Sequence, residues 1–263
     1  MTIIEAIILG IIQGLTEFIP ISSSGHLVIA QYFMSGASSH LFLEWINLGT
    51  VLALVIYFRK RILGILRSIW VDKDYTLARN IIIAMLPAGI VGFTFADVIE
   101  SRAFFSSPWT VLVMLVVVGV LLIVLERLPK LPLPDKAELP AGRALVIGLT
   151  QVIALIPGTS RSGSTIIAGR LMGLTASRAA EFSFLVSIPI MLGVIAKLLV
   201  KDGDRAYLFA NFVPLVAGNI AALISGLIAV GFLMKYLERH SLAIFGWYRI
   251  ALAVVLLIVL LLQ

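Results

Sequence analysis

The uninterrupted apolar runs at residues 111–125 and 250–262, set inside longer apolar segments, constrain this chain more than any other feature. Segments approaching ~20 apolar residues match the hydrocarbon thickness of a bilayer. Inside lipid the backbone has to satisfy its own hydrogen bonds, so helices are expected. A membrane β-barrel would show short alternating segments, and these runs do not alternate. Composition points the same way. The 263 residues are 60% apolar and only 13% charged, whereas a soluble domain carries about a quarter charged residues. That leaves too little polar side chain to cover a globule in water.

Full spans are expected at 43–58, 80–97, 109–126, 182–200, 211–234 and 242–262. Two regions, 3–34 and 144–174, are apolar but broken centrally by Pro, Gly and hydroxyl residues, and each half is short for a crossing. The loop charges order these pieces. Arg59, Lys60, Arg61, Arg67, Lys73, Arg79, Arg127, Lys130, Lys136, Arg143, Arg170, Arg178, Lys235 and Arg239 fall in one set of loops. Only Arg102, Lys201 and Arg205 fall in the other. The first set is then cytoplasmic. The bias survives only if 3–34 and 144–174 each return to the side they came from, so both are expected to be re-entrant hairpins. The net charge of +6 therefore belongs to membrane orientation and not to nucleic acid. The chain has no cysteine, which excludes disulfide and thiolate chemistry. Its first residues lack the basic region of a signal peptide, so the first apolar run is expected to be retained.

The two halves share a spacing. Pro20 and Pro157, Ser22-Ser23 and Thr159-Ser160, Glu44 and Glu181, and Thr50 and Ser187 lie 137 apart (157 − 20). With a one-residue slip, Gln13 matches Gln151 and Ser24-Gly25 matches Ser162-Gly163. Each half is a hairpin followed by three spans, and three is odd, so the second half has to be inverted. The expected architecture is thus an all-α integral membrane protein, with about six transmembrane helices plus two re-entrant helical hairpins in two inverted-topology repeats. The repeats are 1–128 and 140–263, joined by a proline-rich linker at 129–139. Paired, interrupted segments of this kind point to a ligand site near the midplane.

The hairpins carry the polar residues. In the first, Gln13 and Glu17 are four apart and share a helix face. Pro20 ends that helix, and Ser22, Ser23, Ser24 and Gly25 open another, with His26 in its first turn. In the second, Pro157 and Gly158 stop a helix, and Thr159, Ser160, Arg161, Ser162, Gly163, Ser164 and Thr165 start the next. Free N–H groups at a helix start favour a phosphate, and the Arg161 fork suits its oxygens. Any single serine here can be explained by helix packing. Glu17 and Arg161 are costly at bilayer depth and are read as functional, with a purely structural ion pair as the alternative. His26, three residues from Ser23, completes a set of base, nucleophile and carboxylate. Glu44 and Glu181 either cap helices or brace the site, with bracing slightly favoured. His40 and His240 are read as loop residues. Arg249 needs a partner that the sequence does not identify.

These residues resemble a known family. The run from Gln13 through Glu17 and Pro20 to His26 is similar to the first motif of the bacitracin-resistance undecaprenyl-diphosphate phosphatases. Pro157 through Thr165 resembles their second motif, and Glu181 through Pro189 is also similar. The resemblance covers essentially the whole chain. It implies an enzyme of the bacterial cell (inner) membrane that hydrolyses undecaprenyl diphosphate to the monophosphate and inorganic phosphate. That reaction recycles the cell-wall lipid carrier and confers bacitracin resistance. It also implies a divalent cation, Mg²⁺ or Ca²⁺, with Glu17 as its ligand. Gln13 stands where many members have a second glutamate, which removes one negative charge from such a site.

Carried over by motif, the catalytic residues are Glu17, Ser23, His26 and Arg161. Gln13, Ser22, Ser24, Gly158, Ser160, Ser162 and Thr165 bind substrate. Ser23 is the expected nucleophile and His26 its base, with direct attack by water as the rival. Glu17 either orients His26 or binds the cation. The first hairpin's topology predicts an extracytoplasmic opening. Partners are the polyprenyl diphosphate and membrane lipids, with a homodimer left open and no nucleic acid. The competing functions are a polyprenyl-phosphate flippase using the same midplane site and a non-catalytic lipid-binding protein.

Overall fold

The computed structural model describes residues 1–34, 40–128, 133 and 138–262. Among them every regular element is helical. α1 (Ile3–Phe18) and α2 (Ser23–Tyr32) form the first broken pair. α3 (His40–Trp45) runs into α4 (Asn47–Tyr57), and α5 (Arg59–Arg67) continues into a π-helical turn at Ser68–Asp72. α6 (Thr76–Thr94), α7 (Ala96–Ser101), α8 (Ala103–Ser106) and α9 (Pro108–Leu125) complete the first half. The second half holds the broken pair α10 (Ala141–Ile153) and α11 (Arg161–Leu171), then α12 (Ala176–Val200), α13 (Asp202–Ala210), α14 (Phe212–Leu237) and α15 (Ala243–Leu261). The expected linker at 129–139 lies almost wholly outside the described residues, as does the loop at 35–39.

Six helical stretches are long and apolar enough to cross a membrane: His40–Tyr57, Thr76–Thr94, Pro108–Leu125, Ala176–Val200, Phe212–Leu237 and Ala243–Leu261. The chain is a multi-pass membrane protein with its spans where hydropathy puts them. Two spans start earlier than expected because caps, not hydropathy, set helix ends. Asp74 Oδ1 accepts the Thr76 N–H at 2.9 Å and starts α6. Thr175 Oγ1 accepts the Arg178 N–H at 3.3 Å and starts α12.

The exposure pattern is that of a lipid-solvated protein. Val113, Leu121, Ile228 and Val254 point outward, while Gln13, Thr50, Asn80, Gln151, Ser183 and Arg249 are buried. In water such an apolar exterior would aggregate. Between helices the driving force is close packing, so small residues mark the crossings. α1 lies along α14 and α10 lies along α6. At Gly10 in α1 a Cβ would collide with the Gly218 carbonyl of α14. At Gly148 in α10 a Cβ would sit 2.6 Å from the Ala84 carbonyl oxygen of α6. α9 crosses α15, α4 meets α12, α2 touches α15 and α11 touches α9. These contacts bring the two helix breaks to the centre of the bundle.

Candidate active site

The two breaks differ in length but end in the same capping geometry. α1 stops at Phe18 ahead of Pro20, and Ser22 enters α2 with φ 72°, ψ 98°. α10 stops at Ile153 ahead of Pro157, and Ser160 enters α11 with φ 70°, ψ 113°. A serine at positive φ is strained by roughly 1–3 kcal/mol and persists only where its surroundings dictate it. Each hydroxyl caps its helix. Ser22 Oγ accepts the Gly25 N–H at 3.4 Å, and Ser160 Oγ accepts the Gly163 N–H at 3.1 Å. The second hydroxyl of each run joins in, Ser24 at 3.0 Å from Ser22 and Ser162 at 3.1 Å from Ser160. Ser22 is therefore equivalent to Ser160, an offset of 138 (160 − 22). The expected register of 137 at this point is corrected, and Ser23 becomes the counterpart of Arg161.

The breaks are bonded to each other. The Gly158 N–H donates to Ser24 Oγ at 3.0 Å, and Ser162 Oγ donates to the Glu17 carbonyl at 3.3 Å. Gly158 has φ +88°, and a Cβ there would sit 2.6 Å from the Val111 carbonyl oxygen, so only glycine fits. Arg249, fully buried on α15, donates to Pro20 O at 3.4 Å and Gly158 O at 2.6 Å. It also donates to Met114 O at 3.0 Å and Leu115 O at 3.3 Å. Its partners are thus backbone carbonyls of both breaks and of α9. A polar residue inside a strongly apolar run is the only sequence sign of this staple.

Glu17 is the hub. Arg161 Nη2 donates to its Oε1 at 2.8 Å. Ser23 Oγ and Gln13 Nε2 donate to its Oε2 at 2.8 and 3.0 Å. The Glu17 and Arg161 side chains are only 14% and 16% exposed, where an unpaired charge would be costly. The pair is neutral, so Arg249 leaves this centre with one net positive charge. Three buried polar atoms have no partner: Gln13 Oε1, Arg161 Nε and Thr159 Oγ1. The Gln13 amide orientation is fixed, because its Nε2 meets two acceptors, Glu17 and, at 2.6 Å, Asn47 Oδ1. The backbone N–H groups of Ser23, Ser24, Arg161 and Ser162 open α2 and α11, where the helix supplies no acceptor. Together these donors make a cradle for an anion.

His26 is placed differently from the expectation. Its Nδ1 lies 2.8 Å from Ser22 O, and its Nε2 lies 2.8 Å from the Tyr248 hydroxyl. A carbonyl only accepts, so Nδ1 carries the proton, and in the neutral ring the tyrosine donates to Nε2. The two rings stack at 5.6 Å. It is Glu17, not His26, that meets the Ser23 hydroxyl, and Glu17 does not orient His26. Tyr248 is a neighbour that nothing in the sequence singles out. Thr165 is turned toward α12, bonded to the Arg161 carbonyl and the Ser183 hydroxyl. Glu181 pairs with Arg61 at 2.7 Å and does not brace the site. Glu44 lies 3.7 Å from His40, which opens α3 instead of standing in a loop.

Among the described residues no group of three or more His, Cys, Asp or Glu converges as a metal site. A hard cation that keeps waters and shares its shell with a phosphate needs only one or two protein oxygens. Glu17 and the unpartnered Gln13 Oε1 fit that smaller demand.

The sequence matches the family model described as BacA, bacitracin resistance protein BacA, over residues 6–255. It is 41% identical over 267 residues to undecaprenyl-diphosphatase 1 of Clostridioides difficile (strain 630), covering 98% of this chain and 96% of that protein. It is 41% identical over 270 residues to the undecaprenyl-diphosphatase of Clavibacter michiganensis subsp. michiganensis, covering 99% and 97%. The undecaprenyl-diphosphatase of Enterococcus faecalis is 36% identical over 269 residues, covering 98% and 96%.

Proposed function

The chain belongs to the bacitracin resistance protein BacA family, and from that premise we infer that it is an undecaprenyl-diphosphate phosphatase of the membrane. It hydrolyses the lipid diphosphate to the monophosphate and inorganic phosphate, recycling the cell-wall lipid carrier and conferring bacitracin resistance.

The observation that carries the chemistry is one carboxylate, Glu17, bonded to Ser23 from its own break and to Arg161 from the other. The terminal phosphate binds at the starts of α2 and α11. Arg161 turns its unpartnered Nε and the free N–H groups toward the phosphoryl oxygens, where fixed donors stabilise the charge of the transition state. Ser23 Oγ attacks the terminal phosphorus while Glu17 takes its proton. The bond from phosphorus to the bridging oxygen breaks, and the lipid monophosphate leaves. Glu17 passes that proton to the departing monophosphate; water then attacks the phosphoserine and gives a proton to Glu17, and phosphate leaves as this proton returns to Ser23 Oγ. His26, bonded to Tyr248 and the Ser22 carbonyl, holds the first break in place behind Ser23. A divalent cation, Mg²⁺ or Ca²⁺, would be held by Glu17 and Gln13 Oε1 and would supply charge neutralisation on the diphosphate. Gly158, Ser22, Ser24, Ser160, Ser162 and Thr165 keep the cradle in shape.

The finer architecture belongs to the same reading. The broken pairs are re-entrant hairpins, and the halves 1–128 and 140–263 are inverted repeats. The exchange of partners supports this, because α1 on α14 and α10 on α6 are equivalent contacts under an inverted two-fold. With the basic loops in the cytoplasm, the first hairpin opens the site to the extracytoplasmic side of the cell membrane. The test is phosphate release from undecaprenyl diphosphate by purified protein in detergent, with and without chelator. Detergent removes any contribution from lipid flipping. Turnover with a trapped phosphoserine supports the scheme, whereas full activity in Ser23→Ala would replace it with direct attack by water.

A further inference from the structure

A separate cavity of about 360 Å³ lies at the basic end of the bundle, between the start of α6, the start of α12 and α5. Its size suits a small ligand. On its wall is Asn80, only 1% exposed. Asn80 Nδ2 donates to Leu139 O at 2.6 Å, and its Oδ1 has no partner. The orientation is fixed, because a flipped amide would set two oxygens against each other. A buried acceptor without a donor is costly, and Asn80 stands on the inner wall of this cavity, its oxygen just beneath the surface. Charges of both signs surround it. Asp74, Glu138 and Glu181 face Arg61 and Arg178, a net charge of −1 over five residues. Arg61 uses only Nε on Glu181, at 2.7 Å, which leaves the two terminal nitrogens of its fork to a ligand. No metal-binding group of three acidic or His residues exists among the described residues, and the negative balance disfavours a bare phosphate.

The cavity lies at the first turns of two spans, α6 and α12. Beside it α5 and the turn after it expose Leu63, Leu66, Trp70 and Val71, while the same segment carries Arg59, Lys60 and Arg67. An amphipathic segment of this kind lies in the plane of the interface. We propose that this cavity binds the phosphoethanolamine headgroup of a membrane lipid. The ammonium group donates to Asn80 Oδ1 and to the facing carboxylates, and the phosphodiester accepts from Arg61.

The discriminating probe is methylation of the amine. Phosphatidylcholine has the same charges and nearly the same shape but no N–H donor. Purified protein is equilibrated with phosphatidylethanolamine, its N-methyl intermediates, phosphatidylcholine and phosphatidylglycerol of matched chains, and the retained lipid is read by native mass spectrometry. We expect phosphatidylethanolamine to be retained about tenfold over phosphatidylcholine, the worth of a hydrogen bond from a charged donor. Retention should fall stepwise with each methyl group. Asn80→Leu should bring the ratio to within about twofold, while phosphate release from undecaprenyl diphosphate is unchanged. Displacement by millimolar O-phosphoethanolamine assigns the headgroup alone as ligand, and an intact ratio without displacement assigns the whole lipid. Equal retention of the ethanolamine and choline lipids overturns the proposal, as does an intact ratio in folded Asn80→Leu. If that variant does not fold, the methylation series on the native chain decides by itself.

Discussion

The two helix breaks share a capping turn and divide the chemistry. Each has a strained capping serine and a hydroxyl two residues on, at an offset of 138 (160 − 22), behind a proline stop whose own offset is 137 (157 − 20). The side chains hung on this frame differ. Ser23 stands where the other break has Arg161, Glu17 where it has Leu155, and His26 where it has Ser164. One break supplies acid, hydroxyl and imidazole, and the other supplies the guanidinium. Two like helix starts can hold a phosphate with backbone N–H groups. Moving a phosphoryl group needs unlike charges facing each other, and the differing side chains of the two breaks provide that.

If the division of labour is right, the breaks should fail in different ways. Ser23→Ala removes the attacking atom and should lower phosphate release by about 10⁶-fold, as loss of a nucleophile does elsewhere, with no phosphoserine trapped. Arg161→Ala should cost about 10²–10³-fold in turnover, the scale of losing one charge-stabilising donor. Arg161→Lys should recover part of it, because an ammonium keeps the charge but not the fork. A greater loss at Arg161 than at Ser23 would invert the assignment and make the first break the passive one.

Much of this was legible beforehand, and the reasons are physical. Hydropathy located six spans because lipid demands long apolar helices. Pro20 and Pro157 marked the breaks because proline cannot continue a helix. Glu17 and Arg161 stood out because ions at that depth need a purpose. Sequence failed where function depends on side-chain direction. The three-residue spacing of Ser23 and His26 says that they share a face, but the Ser22 carbonyl and Tyr248 hold the imidazole elsewhere. Tyr248 is 222 residues from His26, and only folding reveals the pair. The register also slipped by one, because the hydroxyl pairs Ser22-Ser23 and Thr159-Ser160 were matched by residue type where only φ distinguishes the caps.

Arg249 serves both breaks, so its loss should not discriminate between them. Arg249→Leu strands carbonyls of Pro20, Gly158, Met114 and Leu115 and should destabilise the protein by on the order of 3 kcal/mol. Thermal unfolding in detergent measures this, and Arg249→Lys should restore about half. A variant with normal stability but no activity would instead make Arg249 an electrostatic partner of the substrate. Gln13 tests the first break alone. If Glu17 and Gln13 share a cation, chelation abolishes activity, and Gln13→Glu lowers the Mg²⁺ concentration for half-activity by about tenfold. An unaltered requirement would remove the cation from the first break.

The smallest effect is the one that probes what the breaks have in common. Ser22→Gly and Ser160→Gly each delete a cap, and glycine serves at that position within a few tenths of a kcal/mol of serine. Each also removes the strain of a β-carbon at φ near 70°, worth roughly 1–3 kcal/mol. Glycine repays some of this gain through the entropy of the unfolded chain, by about 0.5–1 kcal/mol. Both variants should therefore be more stable than the parent by about 1 kcal/mol, and by the same amount, since the two serines have the same dihedrals and the same cap. Their activities should still part. Ser22 abuts Ser23 and accepts the His26 ring through its carbonyl, so a looser residue there should let Ser23 and His26 wander and turnover should fall severalfold. Ser160 precedes a guanidinium already pinned by Glu17 at 2.8 Å, so the same loosening there should pass almost unnoticed. Equal stabilisation with unequal turnover is the outcome expected if the frame is duplicated and the chemistry is not.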